Sequence, residues 1–218
     1  MRAELREELL RRVEKDQAAR KAASMAHDSD DWRQVAAVDA ENLPWLENLI
    51  QEVGWPGQSL AGEDGAHAAW LLVQHADANP AFQRRCLDLM TEAVERGEAT
   101  PRDLAYLTDR VLLGEGQPQE YGTQMSGTEE GWAPRNLRDP DNVDARRPAV
   151  SLGPVSENIE RISRHYGPPK PSRLTCADCG GGIDVWLPQE GESRDVRCPA
   201  CGWATSVTVG RPPGQDSR

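Results

Sequence analysis

The chain has 218 residues, 38% of them hydrophobic and 28% charged, and a formal net charge of −11. That length suits one medium domain and a small appendage, and no apolar run approaches the roughly 20 residues that span a bilayer. Residues 168–218 carry six basic and six acidic side chains, so the negative balance lies wholly in residues 1–167; neither part is built to coat a phosphate backbone, and bulk nucleic-acid binding is disfavoured.

The opening residues MRAELREELLRRVEKDQAAR are charged from the second position and lack the apolar stretch of a secretory signal, which points to a cytoplasmic protein. Residues 3–26 read as a long helix. A second helix is expected over 39–53, entered at Asp39 and stopped by Gly54-Trp55-Pro56-Gly57. A third covers about 64–76. Asn79-Pro80 supplies an N-cap and a first-turn proline for a fourth that runs to Gly97. Thr100-Pro101 repeats the device for a fifth, ending near Gly114. Residues 117–150 are rich in Gly, Pro, Asn and Asp and predict an extended, irregular loop or hairpin lobe. A last helix is expected at about 154–165. The single Phe against seven Trp leaves Leu, Val, Ala and Trp to build the core. The organisation that follows is a helical domain over 1–166 and a Pro-rich linker over 167–172. A small β module over 173–210 comes next, then a disordered tail over 211–218. The fold class is mainly α with a C-terminal zinc ribbon.

The β module carries Cys176, Cys179, Cys198 and Cys201, two Cys-x-x-Cys pairs separated by eighteen residues. Each pair sets two thiolates on one tight turn, and two such turns complete a tetrahedral four-sulfur shell for zinc. Gly180 and Gly202 follow the second cysteine of each pair, where the turn needs a permissive backbone. Short strands are expected over 183–187, at Val196 and over 203–209. A redox dithiol pair or two disulfides are the alternatives; the spacing and a reducing compartment favour one structural zinc per chain. Four thiolates leave no open position, so a catalytic zinc is disfavoured. Trp186 and Trp203 offer contact surface or packing for a minimal core. The fifth cysteine, Cys86, lies in a helical pattern and reads as a small buried apolar residue.

The helices carry a repeated anomaly. The apolar stripe Leu5, Leu9, Val13 of the first helix continues at Asp16, Gln17 and Arg20. In the third, Leu71 and Leu72 predict the next inward position at His75, with Asp77 just beyond. Gln83 borders the inward face of the fourth. On the fifth, Asp109 and Arg110 follow Leu104 and Leu107. Charged groups on inward faces are paired or functional, and four helices could build one shared polar pocket from them. The loop Gln119-Glu120-Tyr121-Gly122-Thr123-Gln124 could close over it, offering a phenol and two amides.

The stretches EKDQAAR, VDAENLPWLENLIQEVGWPG, AAWLLVQHAD, FQRRCLDLM, AYLTDRVL, QEYGTQ and DARRPAVSLGP together resemble the bacterial domain-of-unknown-function family 6624, over residues 1 to about 166. The resemblance implies a mostly helical domain. It points to the same polar positions and adds Arg146 and Arg147, but brings no activity with it. The cysteine module lies outside the shared stretch.

Two readings of function follow. In the first the protein is an enzyme on a small anionic or phosphate-containing substrate: His75 is general base or metal ligand, Asp16 or Asp77 orients it, and Arg110 or Arg146 holds the anion. No Gly-rich phosphate loop, His-Glu-x-x-His or Gly-x-Ser-x-Gly is present. In the second it is a binding or adaptor protein that recognises a small molecule or a protein through the helical domain and docks a partner through the ribbon.

Overall fold

The computed structural model describes residues 1–26, 29–188 and 193–208. They divide into two compact units, Met1–Val111 with Ala149–Ser151, and Leu112–Pro148 with Leu152 onward. Among the described residues, no helix is long and apolar enough to cross a membrane.

The first unit is built from α1 (Ala3–Ala26), α2 (Ser29–Val53), α3 (Gln58–Gln74), α4 (Pro80–Glu95) and α5 (Pro101–Gly114), the last helix running on into the second unit. The helix starts predicted at Asn79-Pro80 and Thr100-Pro101 are observed. Phe82 N–H donates to Asn79 Oδ1 at 3.1 Å, and Asp103 N–H donates to Thr100 Oγ1 at 3.0 Å. The second helix begins ten residues earlier than Asp39 implied. Val35, Val38, Asn42, Leu46 and Leu49 are all buried, and their spacing of three or four carries one stripe through Asp39. Asp39 is therefore inside the helix, where its carboxylate meets Arg20.

α3 is broken at Gly62, whose φ of 77° leaves the helical region. Beyond the break it ends at Gln74, which makes His75 the C-cap residue rather than part of the last turn. Its face towards α1 is small: Ala61, Gly65 and Ala68 are buried. A Cβ on Gly65 would lie 3.4 Å from Arg6 Cγ, so the two helices approach closely. The core joins Leu9 of α1 to Leu46 and Ile50 of α2, Val73 of α3, Cys86 and Met90 of α4 and Leu107 of α5, each at most 4% exposed.

The second unit holds an irregular lobe and two further hairpins. β1 (Met125–Thr128) and β2 (Gly131–Pro134) form an antiparallel pair, then come a short α6 (Val143–Arg146) and α7 (Val155–Tyr166). The β1–β2 hairpin lies in the stretch predicted as a loop or hairpin lobe. Trp132 Nε1 donates to Gly167 O at 2.9 Å, which ties the hairpin to the Pro-rich segment after α7. Next, β3 (Ser172–Thr175) pairs with β4 (Gly182–Val185), and β5 (Ser193–Arg197) with β6 (Ala204–Thr208), both antiparallel. β3 lies upstream of the predicted strands. Ile183, Val185 and Val196 form a small core with Cys176 and Cys198, against which Trp203 packs. Trp186 follows β4. The predicted tail lies outside the described residues.

Candidate functional site

Each cysteine pair occupies the turn of one hairpin, Cys176 and Cys179 between β3 and β4, Cys198 and Cys201 between β5 and β6. The turns are closed by backbone: Gly180 N–H donates to Cys176 O at 3.0 Å and Gly202 N–H to Cys198 O at 2.9 Å. Both glycines have positive φ, 70° and 80°. Gly181 N–H donates to Cys179 Sγ at 3.4 Å, and a Cβ there would press on that sulfur at 3.2 Å. The four sulfurs lie within 4.8 Å of one another, with Cys176–Cys201 at 3.8 Å and Cys179–Cys198 at 3.6 Å. A disulfide needs about 2.05 Å. A tetrahedral ion with metal–sulfur bonds of about 2.3 Å has sulfur–sulfur edges of about 3.8 Å, and the observed spacing fits that shell. Backbone N–H groups of Cys201 and Ala200 help bring the Cys198 thiol down to about 7, while Cys201, despite the Trp203 N–H, is pushed up to about 12 by burial and the neighbouring sulfurs.

A second polar assembly lies in the helical unit. Asp16, only 1% exposed, arrives on the α1 stripe, and His75 arrives at the C-cap of α3. His75 Nδ1 is 2.9 Å from Asp16 Oδ2 and 3.1 Å from Oδ1. Arg20, one turn beyond Asp16, reaches Asp16 Oδ1 and His75 Nδ1 through Nε, both at 3.0 Å. Its Nη2 donates to Asp39 Oδ1 at 2.6 Å. Gln17 Nε2 donates to Asp16 Oδ2 at 2.8 Å. With an ionised carboxylate beside Nδ1, the favoured tautomer carries its proton on Nδ1 and donates it to Asp16. Arg20 Nε–H then serves Oδ1, and Nε2 keeps a lone pair.

The two carboxylates diverge. Burial pushes the Asp16 carboxyl up, but the His75 hydrogen bond and charge, with Arg20 and Gln17, outweigh it and hold it below the usual range. For Asp39 burial prevails: it drives the carboxyl up, Arg20 pulls against it, and the neighbouring Asp16 charge adds to the rise.

The predicted site residues fall into separate groups. Asp16, Arg20 and His75 come together as described. Asp77 and Arg110 form their own pair, with Arg110 Nε donating to Asp77 Oδ1 at 2.9 Å. Gln83 Nε2 donates to the same Oδ1 at 3.1 Å and to Val73 O at 3.1 Å, which fixes the end of α3. Asp109 is fully buried on α5. Gln119, Tyr121, Gln124 and Arg146 belong to the other unit. There the Gln119 amide takes the Gln124 N–H at 3.0 Å and donates to Gln124 O at 2.9 Å, holding the loop from beneath. Arg146 Nη2 donates to Glu120 O at 3.0 Å, and Arg147 Nη1 donates to Tyr121 O. Gln124 Nε2 donates to Thr123 Oγ1 at 3.1 Å. These groups shape the loop backbone. Cys86 is buried, and burial pushes its thiol up to about 12, as suits an inert core residue.

Three residues were missed in the sequence. Asp39 has the chemistry of a helix cap but lies inside α2. Asn42, 6% exposed, carries no signal in the sequence. His67 Nδ1 stands 3.0 Å from Asp103 Oδ2 on the wall of a cleft of about 520 Å³, lined also by Gln58, Glu63, Asp64 and Thr100. The hydrogen bond to Asp103 raises the His67 pKa against the opposing effect of burial.

Fold and sites define a mainly helical protein with a four-cysteine cluster at its C-terminal end that could hold a metal ion. Residues 3–169 match the model of a family of unknown function, DUF6624, and the chain belongs to that family. No curated protein and no solved structure matches the chain.

Proposed function

We propose that the protein is a bacterial cytoplasmic enzyme that works by acid–base chemistry on a small anionic or phosphate-containing substrate, with one structural zinc in its ribbon. The observation that carries the catalytic reading is the 2.9 Å contact of His75 Nδ1 with the buried Asp16 carboxylate. That contact favours the tautomer whose Nε2 is a base, and it stabilises the imidazolium formed when Nε2 takes a proton. Arg20 spends Nε on Asp16 and Nη2 on Asp39; its Nη1 is left for an anionic substrate group. The wider cleft beside His67 suits this substrate less, because Glu63, Asp64 and Asp103 on its wall repel an anion. For the ribbon, four thiolates and no open position suit a structural zinc, and thiolate ligands suit a reducing cytoplasm.

The test is turnover of p-nitrophenyl phosphate, p-nitrophenyl acetate and a nucleoside triphosphate by the full chain and by His75→Gln. Loss of wild-type turnover in the variant, with its melting transition kept, supports the reading. Equal rates for the two proteins on every ester would overturn it. It would favour an adaptor that docks a protein partner through the ribbon, whose Leu187 is 45% exposed.

A further inference from the structure

Beside the Asp16–His75 pair lies a cavity of about 10 Å³, lined by Asp39, Asn42 and His75 with Leu43, Leu46 and Leu72 as apolar wall. That volume holds one water and nothing larger. Asn42 is the informative residue. Its Oδ1 accepts from Arg12 Nη1 at 3.0 Å, which settles the orientation of the amide. Its Nδ2 is buried and has no hydrogen-bond partner among the described residues. A buried N–H pair needs an acceptor, and a cation would be repelled by it. His75 has Nδ1 committed to Asp16, so only Nε2 is left to accept a proton from an occupant. Asp39 has Oδ1 committed to Arg20, so Oδ2 is left. The occupant must therefore accept from Asn42 and donate to His75 or Asp39, within the volume of a single oxygen. Water alone meets all of these demands.

We infer that this cavity stores the nucleophilic water of a hydrolytic reaction, held by Asn42 and Asp39 and activated by His75. The inference rests on His75 being the base and narrows the chemistry from group transfer in general to hydrolysis. The water oxygen forms the bond to the electrophilic carbon or phosphorus while its proton passes to Nε2. The bond to the leaving group then breaks, and that group departs with the proton returned from Nε2. No further reactant is needed. Asn42 is a positioning residue that sets the water's place through Nδ2, and Arg12 keeps the amide from turning over.

The discriminating variant is Asn42→Asp, which keeps the shape and strengthens the Arg12 contact but replaces the Nδ2 donor by an acceptor. A crystal structure of the full chain at about 1.5 Å resolution, where water peaks are resolved, is expected to contain a peak within hydrogen-bond reach of Asn42 Nδ2. On any ester of the panel that the wild type turns over, Asn42→Asp should lower kcat on the order of 100-fold with KM little changed. Wild-type turnover in ¹⁸O-water should place one ¹⁸O in the acid product. An empty cavity in the wild type overturns the water site even if His75 is a base, and an unchanged kcat in Asn42→Asp overturns the positioning role of Asn42. Unchanged turnover in His75→Gln with the water present overturns the base instead, so the two failures are separable.

Discussion

Replacing Asp16 by Ala is the sharpest perturbation of the helical unit. The carboxylate is 1% exposed and takes hydrogen bonds from His75 Nδ1, Arg20 Nε and Gln17 Nε2. Removing one member of a buried charged pair costs about 3–5 kcal/mol, most of it from the partner left uncompensated. Here Arg20 keeps Asp39, so the expected loss is at the lower end, about 3 kcal/mol. In a unit of this size that lowers Tm by roughly 12 °C. Asp16→Asn keeps the volume and one acceptor and should lose about 1.5–3 kcal/mol, the worth of a charge-assisted bond. His75→Ala leaves the carboxylate with Arg20 and Gln17 and should lose about 1 kcal/mol. The assay is thermal unfolding of the full-length variants by calorimetry, which resolves separate transitions if the two units melt apart. The pH dependence supplies an internal check. The folded pKa of Asp16 is depressed, so its contribution is present above the ordinary carboxylate range, about 3.8, and disappears as pH falls through the folded value. The gap between wild type and Asp16→Asn must therefore narrow in acid. A Tm for Asp16→Ala equal to that of wild type at pH 7 would refute the reasoning, and so would a larger loss in His75→Ala.

Two further outcomes follow from the other sites. Stripping the metal with a strong chelator should abolish amide-exchange protection across Ser172–Thr208, because three apolar side chains and two cysteines are too small a core. Protection of α1 to α5 should be retained, and a ribbon that stays protected without metal would contradict the fit of its sulfurs. His67 should titrate above 6.5 by NMR, since its bond to Asp103 raises the pKa, and Asp103→Asn should bring it back. The stability it contributes is complete below about 6.5 and is lost as pH rises through the folded value; an unchanged midpoint in the variant would show that Asp103 is not the cause.

What could be read in advance was local. Asn79-Pro80 and Thr100-Pro101 each carry a cap and a first-turn proline within two residues, so the starts of α4 and α5 were legible. The cysteine spacing was legible for the same reason, since each Cys-x-x-Cys turn closes its own backbone hydrogen bonds. The start of α2 was not, because Asp39 has the chemistry of a cap and only burial of Val35 and Val38 reveals that the helix is already under way. A hairpin in this lobe was expected, but its strands could not be placed: MSGT and GWAP show no apolar alternation, and Trp132 anchors to Gly167, 35 residues away. Stripe continuation found Asp16 and His75 because each extends an apolar face of its own helix. It missed Asp39 and Asn42 once their helix had been started too late, and it missed His67 because Asp103 lies 36 residues downstream. It also merged Asp77 and Arg110 with the others, although those two pair with each other.

The chain contains several carboxylate–guanidinium contacts, and most ask for nothing beyond structure. Asp77 with Arg110 and Glu120 with Arg146 are partly solvated pairs, the first closing the end of a helix and the second holding a loop. The Arg20 assembly differs in kind. Two carboxylates share one guanidinium, and their surroundings push them apart, Asp16 towards a permanent anion and Asp39 towards the neutral acid. Opposite shifts in neighbouring groups favour a division of labour between orienting a base and handling a proton. Both carboxylates, His75 and Asn42, whose Nδ2 has no partner among the described residues, line the same small cavity. Trp55 Nε1, Trp70 Nε1 and Gln74 Oε1 are also buried without a partner among the described residues, so Asn42 is set apart by the cavity it shares with His75 and the two carboxylates. A site that must hold one water against a base gains its nucleophile from the Asn42 donor.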